Sequence, residues 1–264
     1  MTVLMETLRL SFRLTFFFVF LLVSVATLLV LRVVDLGRGE PIDRAPFANL
    51  YFKGFCRLLG FTLHCHGNPL TGAGLMVSNH VSWTDIPVLG SCTALCFLAK
   101  AEVSDWPVIG WIARDIGTLF IKRSAGKSAE VRRQIAQGLT QNSQVLIFPE
   151  GTTTNGTGVA PFRSPLLAAA INTGRPVQAI TIAYCRNGQP DLVVPFVGDD
   201  RFENHLVRLL RKPAVDVDIL FHPPLATTDA TAKQLAEQLH RQVSDGLASF
   251  ASTGIEPNTS PTVT

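Results

Sequence analysis

Apolar and polar positions divide the chain into regions with different periodicities. Residues 14–31 carry no formal charge and include Phe16-Phe17-Phe18-Val19-Phe20-Leu21-Leu22. Those residues supply about 27 Å of helix at 1.5 Å per residue, which nearly spans a hydrocarbon core. The following Val30-Leu31-Arg32-Val33-Val34 offers no clear small-residue cleavage site, so residues 1–40 are expected to form a membrane anchor helix rather than a signal peptide. Arg9 and Arg13 precede the apolar run and Arg32 and Arg38 follow it, so positive charge does not set an orientation. Within residues 41–62, positions 47–59 place aromatics and leucines on one helical face, with Lys53 and Arg57 four residues apart beside it. That pattern predicts an amphipathic helix that either lies at the membrane interface or packs on a core.

From residue 63 to 251, short apolar runs alternate with stretches of helical periodicity. Strands are expected over 74–77, 94–98, 118–121, 145–148, 177–183 and 215–221. Helices are expected over 128–141, 166–172, 202–210 and 228–250. The order predicts an α/β domain with a mostly parallel sheet flanked by helices, in which chemistry sits beyond the carboxyl ends of strands. Residues 252–264, rich in Thr, Ser and Pro, read as a disordered tail.

Composition sharpens this picture. A hydrophobic content of 47% and a mean hydropathy of +0.29 exceed what a soluble domain needs, so part of the chain meets lipid. A net charge of +3 suits a membrane surface. No basic stripe interleaved with aromatics is present, which argues against a nucleic-acid partner. Five cysteines without CxxC spacing exclude a disulfide framework or zinc ribbon and read as reduced core residues. His64-Cys65-His66 puts two imidazoles on one face of a strand, but no further ligands stand at recognisable spacing, so no metal is expected. Ser124-Ala125-Gly126-Lys127-Ser128 ends like a phosphate-binding loop, yet Ile121 stands where the first glycine of that loop belongs. A GxSxG elbow for a nucleophilic serine is also absent.

The candidate chemistry centres on Asn79-His80-Val81-Ser82-Trp83-Thr84-Asp85, directly after Leu75-Met76-Val77. A neutral imidazole can take a proton from a hydroxyl near neutral pH, and a carboxylate on its other nitrogen fixes the tautomer and stabilises the imidazolium. Five positions on a regular helix leave two side chains roughly 140° apart, so the pair converges only if the chain turns between them. Ser82, Thr84 and Pro87 favour such a turn, with His80 on a strand-to-helix loop and Asp85 at the helix start. A buried histidine satisfied by a capping aspartate is the competing reading of this segment.

Three further loops complete a pattern. Gly117-Thr118-Leu119-Phe120-Ile121-Lys122-Arg123 ends a strand in two cations, Phe148-Pro149-Glu150-Gly151-Thr152 ends one in a carboxylate and a glycine, and Arg175-Pro176-Val177-Gln178-Ala179-Ile180 opens another. In this order the four blocks resemble those of the glycerolipid acyltransferases of the lysophosphatidate acyltransferase type, from about Leu75 to Ala183. The resemblance implies that His80 deprotonates an acceptor hydroxyl, that Asp85 orients it, and that the hydroxyl attacks an acyl thioester without an acyl-enzyme. It implies that Arg123 holds the acceptor's anionic head with Lys122 or Lys100 assisting, and that Glu150, Gly151 and Thr152 build the acceptor site. No cofactor is implied beyond acyl-CoA or acyl carrier protein as co-substrate; the other partner is a membrane lysolipid. The expected acceptor is 1-acylglycerol-3-phosphate, giving phosphatidic acid, and the expected location is a bacterial inner membrane with the catalytic domain on its cytoplasmic face. One departure stands out, because family members often continue through a Phe-basic-basic-Gly step where this chain reads Pro161-Phe162-Arg163-Ser164-Pro165. That stretch and Trp83-Thr84-Asp85-Ile86-Pro87 look like a bacterial branch that contains lyso-ornithine lipid acyltransferases, the alternative acceptor class. A catalytically silent lipid-binding protein is the non-enzyme alternative, although such a protein needs no general base.

Overall fold

The computed structural model describes residues 2–121 and 128–252. Lys122, Arg123, the 124–127 part of the phosphate-loop-like segment and the 253–264 part of the tail lie outside them. Two helices, α1 (Thr2–Leu36) and α2 (Ala45–Leu59), precede a sheet of eight strands: β1 (Phe61–His66), β2 (Gly74–Ser78), β3 (Cys96–Lys100), β4 (Leu119–Ile121), β5 (Gln144–Ile147), β6 (Val177–Arg186), β7 (Gln189–Pro190) and β8 (Val215–Phe221). Between and after the strands run α3 (Asp85–Cys92), α4 (Ile109–Asp115), α5 (Ser128–Thr140), α6 (Ala168–Thr173), α7 (Phe202–Arg211) and α8 (Ala232–Ser252).

The sheet order is β1-β8-β6-β2-β5-β3-β4, with β7 paired to β6. Strands β6, β2, β5, β3 and β4 are mutually parallel; β8 runs antiparallel to β6, and β1 pairs parallel with β8. Continuous apolar runs such as Leu75-Met76-Val77 suit strands covered on both faces. Alternation then assigns the faces. Met76, Leu146, Ile180 and Ile182 share a core with residues of α2, α3 and α7, whereas Leu75, Val77, Val145 and Ile147 pack with residues of α5, α6 and α8.

Three elements escaped the sequence pattern, among them the two-residue β7. β1, with Phe61 buried and Thr62, His64, Cys65 and His66 exposed, has too few apolar positions to register as a strand, and it opens two residues before position 63. Helix α4 is only seven residues long. The cysteines also differ from expectation: Cys56 is the buried one, Cys65 is exposed and the other three are half-buried. His64 and His66 do share a face, and each bonds an aspartate of β8, at 3.2 Å to Asp216 and 3.0 Å to Asp218.

Helix α1 is longer than its uncharged stretch and contacts the domain at both ends. Near its start, Arg9 donates to the Arg211 carbonyl and Arg13 to the Lys212 carbonyl, each at 2.9 Å, while Lys212 reaches Glu6 at 2.9 Å. These arginines therefore satisfy carbonyls left open at the C-terminal end of α7, where cations are also favoured by the helix dipole. Near its end, Arg32 meets Asp115 at 2.9 Å, and Asp35 pairs with Arg44. The helix is about 52 Å long at 1.5 Å per residue. It lies along the domain, with Phe12, Phe16, Phe18, Val19, Leu22 and Val30 among its exposed side chains. α2 fills the space beneath, with Phe55 against Phe17, Phe20 and Trp83.

Removing both docking arginines (Arg9→Ala with Arg13→Ala) is expected to lower stability by about 1–3 kcal/mol. In detergent-solubilised protein this corresponds to a fall of several degrees in thermal midpoint, and an unchanged midpoint would show that the docking contributes nothing.

Candidate active site

β2 lies between β5 and β6, and its last residue, Ser78, delivers the chain to the carboxyl edge of the sheet. Asn79, with no exposed surface, fastens this exit by pairing both its amide groups with the backbone N–H and C=O of Ile182, each at 2.9 Å. The loop from 80 to 82 has its backbone held from three sides. The His80 N–H donates to Glu150 Oε1 at 2.7 Å, the His80 carbonyl accepts from the Thr154 N–H at 2.8 Å, and the Val81 carbonyl accepts from the Phe196 N–H at 3.0 Å.

The turn expected between His80 and Asp85 is present, and Asp85 opens α3. Its cause differs from the expectation, because Thr84 makes no side-chain cap and Asp85 itself folds the loop back. Asp85 Oδ2 accepts the N–H groups of Val81 at 2.8 Å and Ser82 at 3.1 Å as well as the His80 ring nitrogen Nδ1 at 2.8 Å. An ionised carboxylate only accepts, so the ring proton sits on Nδ1 and Nε2 keeps a free lone pair. The His80 ring stacks flat on Phe148, with centroids 3.9 Å apart and planes 12° apart. Its side chain is 18% exposed while that of Asp85 is 0% exposed, an accessible base on a sealed carboxylate.

Tyr184 completes this arrangement. Its hydroxyl donates to Asp85 Oδ1 at 2.7 Å and accepts from Thr84 Oγ1 at 3.1 Å. Burial, and then the Asp85 charge, push the phenol well above its ordinary pKa, so it stays a donor. Sequence reasoning passed over Tyr184 one residue beyond the expected strand; the available signal was a hydroxyl in an otherwise apolar run, which demands a partner when buried. Trp83 was equally unassigned. Its indole N–H donates to His205 Nδ1 at 3.0 Å, and His205 Nε2 donates to the carbonyls of Val193 and Val194, both at 3.1 Å. Burial, reinforced by Arg208, lowers the His205 pKa and keeps the ring neutral.

The expected binding residues divide. Glu150 is 3% exposed and spends both oxygens on backbone, Oε1 on His80 and Oε2 on the Ala160 N–H at 2.8 Å. Burial raises its pKa against the pull of those N–H groups. Its place is therefore to hold the His80 loop. Gly151 has φ +77°, and a Cβ there would lie 3.2 Å from the Arg163 guanidinium, so the glycine admits both the turn and that cation. Thr152 is exposed beside it. Lys100 ends β3, and continuing the register of Phe97 with Leu146 brings it level with residue 149. Two strand spacings separate it from β2, about 10 Å, so it shares the rim without touching His80. Lys100 also pairs with Ile121, the residue before Lys122 and Arg123. A cavity of about 750 Å³ lined by Arg44, Phe52, Cys96, Asp115, Gln137 and Gln144 belongs to the opposite edge, where β3 and β5 begin.

The acyltransferase family profile matches residues 62–183. The chain is similar to the lyso-ornithine lipid O-acyltransferase of Pseudomonas aeruginosa, 39% identical over 84% of this chain and 92% of that one. It is similar to the protein of the same description from Rhodobacter capsulatus, 35% identical over 72% and 71%. The 1-acyl-sn-glycerol-3-phosphate acyltransferase of Neisseria gonorrhoeae is 29% identical over 81% and 87%. Among solved structures, the 1-acyl-sn-glycerophosphate acyltransferase of Thermotoga maritima shares the fold, with a TM-score of 0.71, 18% identity and coverage of 96% and 98%.

Because His205 is held neutral, its contribution to stability is present above the ordinary histidine pKa of about 6.5 and is lost as pH falls through its lowered folded value. Thermal melts from pH 7 down to about pH 5 are expected to show a decline that His205→Gln flattens, since glutamine can accept from Trp83 and donate to the carbonyls without titrating. Identical pH slopes in the two proteins would remove His205 from this account.

Proposed function

The chain belongs to the lysophospholipid acyltransferase family, and we propose that within it the protein moves a fatty acyl group from an acyl thioester to the free hydroxyl of lyso-ornithine lipid. The observation that carries the chemistry is the His80 base, with its proton on Nδ1 against Asp85 and Nε2 open. Nε2 takes the hydroxyl proton as that oxygen attacks the thioester carbonyl; collapse of the adduct expels the thiolate, which recovers the proton from the imidazolium. A base of this kind contributes about 10²- to 10⁴-fold, and alignment of the two substrates much of the rest. Acyl-CoA and acyl carrier protein are the two donor classes proposed.

The acceptor assignment rests on the 39% identity to the Pseudomonas lyso-ornithine relative over most of both chains, against 29% for the Neisseria gonorrhoeae glycerol phosphate relative over a similar span. It also rests on the departure at Pro161-Phe162-Arg163-Ser164, where Arg163 sits over Gly151. The second reading, 1-acylglycerol-3-phosphate as acceptor, is supported by the Neisseria relative and by the same site plan. Arg123 is proposed to hold the acceptor's anionic group, with Lys122 and Lys100 as further cations. α1 and α2 are proposed to lie in one leaflet of a bacterial inner membrane, since a helix tied to the domain near Arg9 and again near Arg32 cannot leave it along the membrane normal. The catalytic domain then faces the cytoplasm, where both donors occur.

Purified protein offered lyso-ornithine lipid and 1-acylglycerol-3-phosphate, each with both donor classes, is expected to prefer the ornithine acceptor, as read by mass spectrometry of the products. A preference for the phosphate acceptor would replace this assignment with the second reading. His80→Ala is expected to lose at least about 10²-fold in transfer while still folding, with a lowered thermal midpoint because buried Asp85 loses a donor, and full activity would sink the mechanism. Arg123→Ala is expected to raise the acceptor KM about tenfold or more with little change in the donor KM; equal shifts would count against head-group binding.

A further inference from the structure

Two thiols lie side by side at the margin of the sheet, away from the catalytic loop. Cys65 Sγ and Cys92 Sγ are 3.3 Å apart, although 27 positions separate them in sequence. Cys65 is exposed and Cys92 half-buried. Alternation along β1 puts Cys65 on the face of Phe61 and Leu63, which pack in the core shared with α2 and α3, and opposite His64 and His66. Cys92 is the last residue of α3, the helix that Asp85 opens.

We propose that Cys65 and Cys92 form a thiol–disulfide exchange site, at which a small-molecule disulfide such as oxidised glutathione is reduced and a bond closes between β1 and α3. A disulfide needs its sulfurs at about 2.05 Å, so each has to move by well under 1 Å from the observed separation. The two thiols differ in readiness. Cys65 is the more exposed of the two and therefore the nucleophile, and a hydrogen bond from Cys92, aided by His64 and Lys53 and opposed by burial, lowers its pKa to about 7. Its contact with Cys65, together with burial, pushes Cys92 up, so Cys92 stays protonated until Cys65 is capped. Cys56 nearby is buried and raised to about 12, a spectator.

The steps balance. The Cys65 thiolate attacks one sulfur of the glutathione disulfide and releases one glutathione thiolate, which takes a proton from water. Cys92 then gives up its proton and attacks the Cys65 sulfur, expelling the second glutathione. Two protein thiols are oxidised and one glutathione disulfide is reduced to two thiols. The ring so closed contains β2 and the whole loop from Asn79 to Asp85. Among the described residues β1 is an edge strand paired with β8 alone, and the new bond gives it a second attachment.

The test uses the full chain in detergent, incubated with oxidised glutathione, quenched with iodoacetamide and read by intact mass, peptide mapping and thermal melting. The expected product has lost two hydrogens, carries a 65–92 crosslink, resists alkylation at both positions and melts about 5–10 °C higher. Cys65→Ser and Cys92→Ser should each abolish the crosslink while Cys185→Ser leaves it intact; should Cys92→Ser fail to fold, the exposed Cys65→Ser gives the same reading. A lasting glutathione adduct on Cys65, a crosslink between two chains, or a 65–92 bond that leaves the midpoint unmoved would each overturn the proposal.

Discussion

A carboxylate with no exposed surface has to be given hydrogen bonds by its surroundings, and Asp85 organises this site because of that demand. One oxygen gathers two backbone N–H groups and the His80 ring, and the other takes the Tyr184 hydroxyl. The same bonds that satisfy the charge bend residues 80 to 85 into a loop, fix which imidazole nitrogen is protonated and tie the loop to β6. Positioning and electrostatics are therefore one feature of the structure. A lost partner would leave a buried charge short of a donor, which costs far more than a surface hydrogen bond.

Glu150 repeats the principle one strand away. It bridges the His80 N–H and the Ala160 N–H, so two loops that leave adjacent parallel strands are joined through a single buried side chain. Phe148 from the same segment supplies the flat surface on which the imidazole rests. Residues that look like separate functional boxes in the sequence are thus parts of one packed unit. Arg163, Thr152 and Lys100 stand exposed at its rim.

The two N-terminal helices connect to this unit through Trp83. Its ring meets Phe55 of α2 and Phe202 of α7, and its N–H meets His205 of α7. The C-terminal end of α7 in turn receives Arg9 and Arg13 from α1. The apolar surface of these helices and the loop that carries His80 therefore share a short chain of contacts, which fixes the height of the site relative to the helices. The arginines that flank the apolar run set no orientation in the sequence, and the structure spends Arg9 and Arg13 on carbonyls and Arg32 on Asp115.

Sequence by itself determined what depends on local periodicity and residue chemistry. Strand β8 over 215–221, the long apolar helix, the turn between His80 and Asp85 and the family plan of the four blocks could all be read, because apolar runs and the bonds of Asp85 to the preceding N–H groups act over a few positions. Only the tertiary structure decided which groups meet across large separations. Tyr184 lies 99 positions from Asp85, His205 lies 122 from Trp83, and Glu150 lies 70 from His80. The reversed direction of β8 against β6 and the weakly apolar edge strand β1 also depend on partners, since an edge strand needs only one covered face. The thiol pair shows the same limit: spacing of 27 residues carries no signal, and the contact exists because a strand edge and a helix end arrive at one place.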